Sequence, residues 1–138
     1  MRMKFILYMA SVLLFSGISL SSVQAQEQQH YVILTKKVAQ LQPILLAAEE
    51  LKKEDGTYFG NFEVIICGQL IGEITEPAKI DKFISKAESL GVTLVACGFS
   101  LNKFNVNRAE VPKQMKIVEN GILYNLQLQK KGYHSLGL

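Results

Sequence analysis

The stretch Val92-Thr93-Leu94-Val95-Ala96-Cys97-Gly98-Phe99-Ser100-Leu101 gives the clearest indication of fold in this chain of 138 residues. Its first six residues predict a buried strand, and the residues from Gly98 onward predict the start of a helix. A thiol at such a turn lies beside free backbone N–H groups and the positive end of a helix dipole, which both favour the thiolate. Cys97 is therefore a candidate for sulfur or redox chemistry. The alternative is an inert thiol in the core, where free cysteines are common.

Strands and helices are predicted to alternate along the rest of the chain. The expected strands cover residues 31–35, 62–67, 92–97, 115–118 and 133–135. Helical spacing of apolar residues, with Pro43 and Pro77 suited to first turns, predicts helices between them. This alternation predicts a three-layer α/β/α fold with a mostly parallel sheet of about five strands. Ligands of such sheets bind at the carboxyl ends of the strands, where both Cys67 and Cys97 are expected.

Residues 1–25 have the features of a secretory signal peptide. Arg2 and Lys4 precede an apolar run, and Val23-Gln24-Ala25 offers a cleavage site after Ala25. We therefore expect one domain over residues 26–138, exported to the periplasm or secreted, with no membrane attachment after cleavage. The whole chain carries a net charge of +3, and no basic stripe with interleaved aromatic residues occurs, so nucleic acid is not expected as a partner.

Other chemistries find little support in the sequence. The two histidines, His30 and His134, fall near the amino ends of predicted strands, at the edge opposite the cysteines. From that edge a histidine base could not reach a cysteine, so a Cys–His hydrolase is not expected. No CxxC or HxxxH spacing occurs either, so no metal site is expected. No G-x-S-x-G elbow or glycine-rich phosphate loop is present, and no cofactor is expected. Lys103 lies near Cys97 and either supports a thiolate or, more commonly for a lysine, lies in solvent.

The chain has two cysteines, Cys67 and Cys97. An even number in an exported protein suggests a disulfide, but a domain of this size can form its core without one. The sequence leaves open whether the two thiols are bonded, free or a switchable pair. The loop after Cys67 is unusually apolar at Leu70, Ile71 and Ile74, which predicts either a pocket wall or a subunit contact.

Several segments together resemble the DsrE/DsrF-like family. The stretch from Val92 to Leu101 resembles its cysteine segment, and Phe62-Glu63-Val64-Ile65-Ile66-Cys67-Gly68 resembles its second strand and following glycine. Ile117-Val118-Glu119-Asn120-Gly121-Ile122 and Leu126-Gln127-Leu128-Gln129-Lys130-Lys131-Gly132-Tyr133 resemble its C-terminal part. The resemblance implies a small α/β/α domain that assembles as a trimer or hexamer. It also implies that Cys97 carries persulfide sulfur between donor and acceptor proteins.

These observations lead to two hypotheses of different class. The first is a sulfur-handling protein of the cell envelope, a persulfide carrier or sulfurtransferase-like protein, in which Cys97 accepts sulfur and Cys67 is the candidate resolving thiol. The second is a non-catalytic oligomeric binding or assembly module whose cysteines are structural. The sequence identifies neither the sulfur donor nor the acceptor, and it leaves open whether any catalysis occurs.

Overall fold

A computed structural model describes residues 25–138, so the predicted signal peptide lies almost wholly outside the described residues. The strands are β1 Gln29–Thr35, β2 Phe59–Ile66, β3 Val92–Cys97, β4 Lys116–Val118 and β5 His134–Gly137. The helices are α1 Leu41–Asp55, α2 Pro77–Leu90, α3 Gly98–Lys103 and α4 Gly121–Lys130. Short 3-10 turns cover Val38–Gln40, Gly56–Tyr58, Gln69–Thr75 and Arg108–Glu110.

The five strands form one sheet in the order β4-β3-β2-β1-β5, and every neighbouring pair is parallel. Helices lie on both sides of it, so the predicted three-layer α/β/α fold is confirmed. Helices α1 and α2 pack together on one face, and α4 packs against β1, β2 and β3 on the other. Since parallel crossovers are right-handed, the chain leaves β3 and β4 toward opposite faces. The carboxyl ends of β3 and β4 therefore form the switch point of the sheet, the position at which sheets of this kind bind ligands.

The core consists of the apolar strand residues and the inward stripes of α1 and α2. β2 is buried continuously from Phe62 to Ile66, as expected for a strand covered on both faces. Its one carboxylate, Glu63, is 9% exposed and accepts a hydrogen bond of 2.7 Å from the Tyr124 hydroxyl of α4. Lys116 donates to the same hydroxyl at 2.8 Å, so the buried carboxylate is linked to a cation through one phenol.

The apolar loop after Cys67 is part of this core. Ile71 and Ile74 are fully buried within their own chain, and only Leu70 remains substantially exposed. The expectation that this loop forms a subunit contact is therefore wrong for Ile71 and Ile74. The physical reason is that the 3-10 turn points these two side chains inward beneath α2 and α3, against which it packs. No helix among residues 25–138 is long and apolar enough to cross a membrane.

Candidate functional site

Cys97 is the last residue of β3 and the residue immediately before α3, as the sequence predicts. Cys67 directly follows β2, and its N–H extends the sheet by donating to the carbonyl of Thr35 at 2.9 Å. Both cysteines therefore lie at the carboxyl edge of the sheet, and both are free and buried, at 3% exposure for Cys97 and 7% for Cys67. The two histidines lie at the opposite edge, where His30 stacks on Tyr133.

The strand register brings the two thiols side by side. Ile66 pairs with Ala96, so Cys67 and Cys97 occupy the next position on two neighbouring parallel strands. Such positions are separated by roughly one strand spacing, about 5 Å, and their side chains leave the sheet on the same face. Both side chains surround Gly121 at the start of α4: a Cβ on that glycine would lie 2.6 Å from Cys67 Sγ and 3.1 Å from Cys97 Cβ.

Cys97 Sγ accepts a hydrogen bond of 3.2 Å from the N–H of Gly121. Hydrogen bonding by Ser100 and by the Cys67 thiol acts, with this bond, to lower the pKa of Cys97. Ser100 is itself fixed, because its buried hydroxyl oxygen accepts from the N–H of Gly68 at 2.9 Å. The sulfur is thus placed where negative charge is stabilised by backbone and side-chain donors.

The first turn of α4 divides its N–H groups between two acceptors. The side chain of Asn120 caps the helix by accepting from the N–H groups of Ile122 and Leu123 at 3.0 and 3.1 Å. The N–H of Gly121 is not taken by that cap and points at Cys97. The helix therefore offers one N-terminal donor, with the positive end of its dipole, to the sulfur.

These contacts separate the acidities of the two thiols. Burial alone would raise the pKa of Cys97, but the hydrogen bonds from Ser100, Gly121 and Cys67 outweigh it and lower that pKa below the ordinary value. Burial raises the pKa of Cys67 from 9.0 to about 12, and the nearby negative charge of Cys97 and its hydrogen bond act in the same direction. Of the two thiols, Cys97 is therefore the more acidic, and Cys67 is the one that keeps its proton more strongly.

Charged groups lie around the cysteine pair and are not in contact with Cys97 Sγ. The guanidinium of Arg108 packs over Gly98, where an added Cβ would lie 2.6 Å from Nη2, and it forms a bidentate pair with Glu119 at 2.8 Å. The side chain of Lys36 packs against Gly68 beside Cys67, and its positive charge acts to lower the pKa of Cys67. Lys103 is exposed, and its Nζ lies 5.9 Å from the centroid of the Phe104 ring. Of the two alternatives for this lysine, the structure therefore supports a side chain in solvent.

Sequence reasoning locates the two cysteines but misses Ser100 and Gly121 as their partners. Ser100 shares the quoted segment and follows Cys97 by one turn, so a search for hydroxyls near the start of α3 could have found it. Gly121 is 24 residues from Cys97 and no local pattern connects the two. No cluster of three or more metal-ligating side chains occurs within the described part of the chain.

Comparison with known proteins identifies the fold. No protein-family model matches the sequence, and no match was found among curated proteins. The chain is similar to the solved structure of MTH1491, a protein of unknown function from Methanobacterium thermoautotrophicum. The TM-score is 0.68 at 12% identity, over 81% of this chain and 100% of that one. It is also similar to BT1422, a conserved protein of unknown function from Bacteroides thetaiotaomicron. Here the TM-score is 0.62 at 16% identity, over 80% of this chain and 95% of that one. At these identities the two likenesses establish a shared fold.

Proposed function

We propose that this protein is a sulfur-handling member of the DsrE/DsrF-like family that accepts a sulfane sulfur on Cys97 and holds it as a persulfide. The observation that carries the proposal is the hydrogen bond of 3.2 Å from the Gly121 N–H, at the start of α4, to Cys97 Sγ. A helix N-terminus stabilises the attacking thiolate, and the same donors stabilise the anionic sulfur of a persulfide. The site would work in the cell envelope if the predicted signal peptide exports the chain.

The burial of Cys97 restricts the donor. With 3% of the residue exposed, a small species such as inorganic polysulfide reaches the sulfur more easily than the cysteine of a folded donor protein does. In the transfer, the Cys97 thiolate attacks a terminal polysulfide sulfur. One S–S bond forms, the next S–S bond breaks, and the shortened polysulfide leaves with the electron pair. Transfer onward to an acceptor protein requires that α3 or α4 move enough to expose the sulfur.

A second candidate function is an oligomeric binding module with structural cysteines. The outer side of α4 favours it, since Ile122, Leu123 and Leu126 are 62%, 52% and 51% exposed. Phe99, near the same helix end, is 60% exposed. Apolar side chains clustered in this way mark an interaction surface. We propose that this side of α4, rather than the loop at Leu70, mediates assembly into a trimer or hexamer.

Mass spectrometry after treatment with inorganic polysulfide tests the first function against the second. Immediately after mixing, reduced wild type should carry the mass of one added sulfur atom on Cys97, and Cys97→Ser should carry none. Ser100→Ala should be labelled more slowly at neutral pH, because the hydrogen bonding of the Ser100 side chain, which lowers the pKa of Cys97, is removed while the backbone N–H of that residue remains. Labelling of Cys97→Ser at the wild-type level would contradict the proposal. Failure of every form to take up sulfur would favour the binding module.

A further inference from the structure

The two thiols are positioned to form a disulfide with each other. They follow the paired residues Ile66 and Ala96 on neighbouring strands, so their Cα atoms are separated by about one strand spacing. That separation lies inside the range of roughly 4.4 to 6.8 Å that a disulfide spans. Their side chains point to the same face and pack around Gly121, whose missing side chain leaves both sulfurs room to approach.

The two thiols also differ in what they can do at each stage. While Cys97 is a thiolate, Cys67 keeps its proton and donates a hydrogen bond to it. Once Cys97 carries a second sulfur, its own Sγ is a neutral divalent atom and the negative charge moves to the outer sulfur. The charge that opposed ionisation of Cys67 is then farther away, and Lys36 beside Gly68 favours the Cys67 thiolate. Sulfur loading therefore weakens two of the three effects that raise the pKa of Cys67, and its position beside Cys97 makes it the nearest nucleophile to the loaded sulfur.

From this arrangement, and resting on the function proposed above, we propose that Cys67 discharges the Cys97 persulfide reductively, so that the protein releases sulfide from sulfane sulfur. The substrate class is inorganic polysulfide or a small persulfide, and the product besides sulfide is the Cys67–Cys97 disulfide. This activity differs from a carrier's, because the sulfur leaves reduced rather than being passed on at the same oxidation level.

The step balances with the two cysteines as the electron source. The Cys67 thiol gives its proton, through solvent, to the outer sulfur of the persulfide, and its thiolate attacks Cys97 Sγ. A Cys67–Cys97 bond forms, the bond from Cys97 to the outer sulfur breaks, and the outer sulfur leaves with the electron pair as hydrosulfide. The two cysteines lose two electrons and the sulfane sulfur gains them. An external dithiol reductant then restores both thiols by disulfide exchange.

A single-turnover experiment without reductant tests this inference. Reduced wild type, Cys67→Ser, Cys67→Ala and Cys97→Ser are loaded with inorganic polysulfide and freed of small molecules. Released sulfide and intact mass are then followed. Wild type should release about one sulfide per chain and lose two hydrogens as the disulfide forms. Both Cys67 variants should retain the added sulfur and release no sulfide in the same period. Cys67→Ser and Cys67→Ala are both used so that the result does not depend on a single variant that fails to fold.

The outcomes separate this inference from the proposed function. If wild type keeps its persulfide without forming the disulfide, or if the Cys67 variants release sulfide at the wild-type rate, the resolving role is wrong although Cys97 still accepts sulfur. If neither wild type nor the Cys67 variants take up sulfur, the proposed function itself is wrong. Addition of a dithiol to the spent wild type should restore a second turnover, and a disulfide that resists reduction would overturn the proposed cycle.

Discussion

Gly121→Ala is the most direct perturbation of the cysteine pair, because the added methyl group would lie 2.6 Å from Cys67 Sγ. Ordinary van der Waals contacts begin near 3.4 Å, so the start of α4 must move roughly 1 Å away from the Cys67 sulfur and the strand ends beneath it. Such a shift lengthens the present 3.2 Å contact between the Gly121 nitrogen and Cys97 Sγ beyond hydrogen-bonding distance. Overpacking of this kind costs typically about 1–3 kcal/mol of folding free energy.

The loss of that donor has a calculable effect on reactivity. A hydrogen bond to a charged group contributes about 1.5–3 kcal/mol, so its loss raises the pKa of Cys97 by about 1–2 units. At a pH below the pKa, each unit by which the pKa rises lowers the thiolate fraction about tenfold. The more basic thiolate is at the same time about threefold more nucleophilic. The net expectation is alkylation of Cys97 that is slower by a factor of about 3 to 10 at a pH below its pKa.

The assay is the rate of iodoacetamide labelling of Cys97 as a function of pH, read by mass spectrometry of the labelled peptide. Gly137→Ala is the matched control, because a methyl group there meets no atom within 4 Å. The midpoint of the pH profile should rise in Gly121→Ala and stay unchanged in Gly137→Ala. A folded Gly121→Ala protein with the wild-type midpoint would refute the claim that the start of α4 stabilises the thiolate.

Three further outcomes are expected. Because burial raises the pKa of Cys67 from 9.0 to about 12, the native state at a pH between these values retains a proton that the unfolded chain has lost. The free energy of unfolding in urea should therefore fall between pH 9 and about 12, and it should fall less in Cys67→Ala. Tyr124→Phe should lower the free energy of unfolding by about 1–3 kcal/mol, because the buried Glu63 loses its donor, and an unchanged urea midpoint would count against that contact. Ile71→Asp should unfold the chain, because it buries an unpaired charge. Leu126→Asp should leave the chain folded but reduce the mass of the assembly measured by light scattering. An assembly that persists in Leu126→Asp would exclude this side of α4 as the contact.

The sequence predicts most of the fold because the relevant signals are local. Apolar runs, proline at helix starts and the alternation of strands with helices determine the layers, and they place Cys97 at a strand end. The neighbouring position of Cys67 could be expected only as a shared edge, because the order of strands in a sheet is a long-range property. The structure adds the register of Ile66 with Ala96, and this register brings the thiols together.

The partners of Cys97 were harder to predict for the same reason. Gly121 donates to the sulfur from a different helix, and its role depends on close packing rather than on any motif. The apolar loop shows the opposite error: Ile71 and Ile74 suggest an exposed contact only if the loop is assumed to lie on the surface. A 3-10 turn buries both side chains, so apolar composition alone does not distinguish a core segment from an interface.

The pairing of Ile66 with Ala96 also makes the two thiols a reporter of correct folding. Successive side chains along a strand point to opposite faces, so a slip of one residue between β2 and β3 would place Cys67 and Cys97 on opposite sides of the sheet. Chains with that misalignment could not close the bond between these two sulfurs. During refolding under oxidising conditions, the yield of the intramolecular disulfide therefore measures the fraction of molecules in which the central strands have aligned correctly, before any activity is assayed.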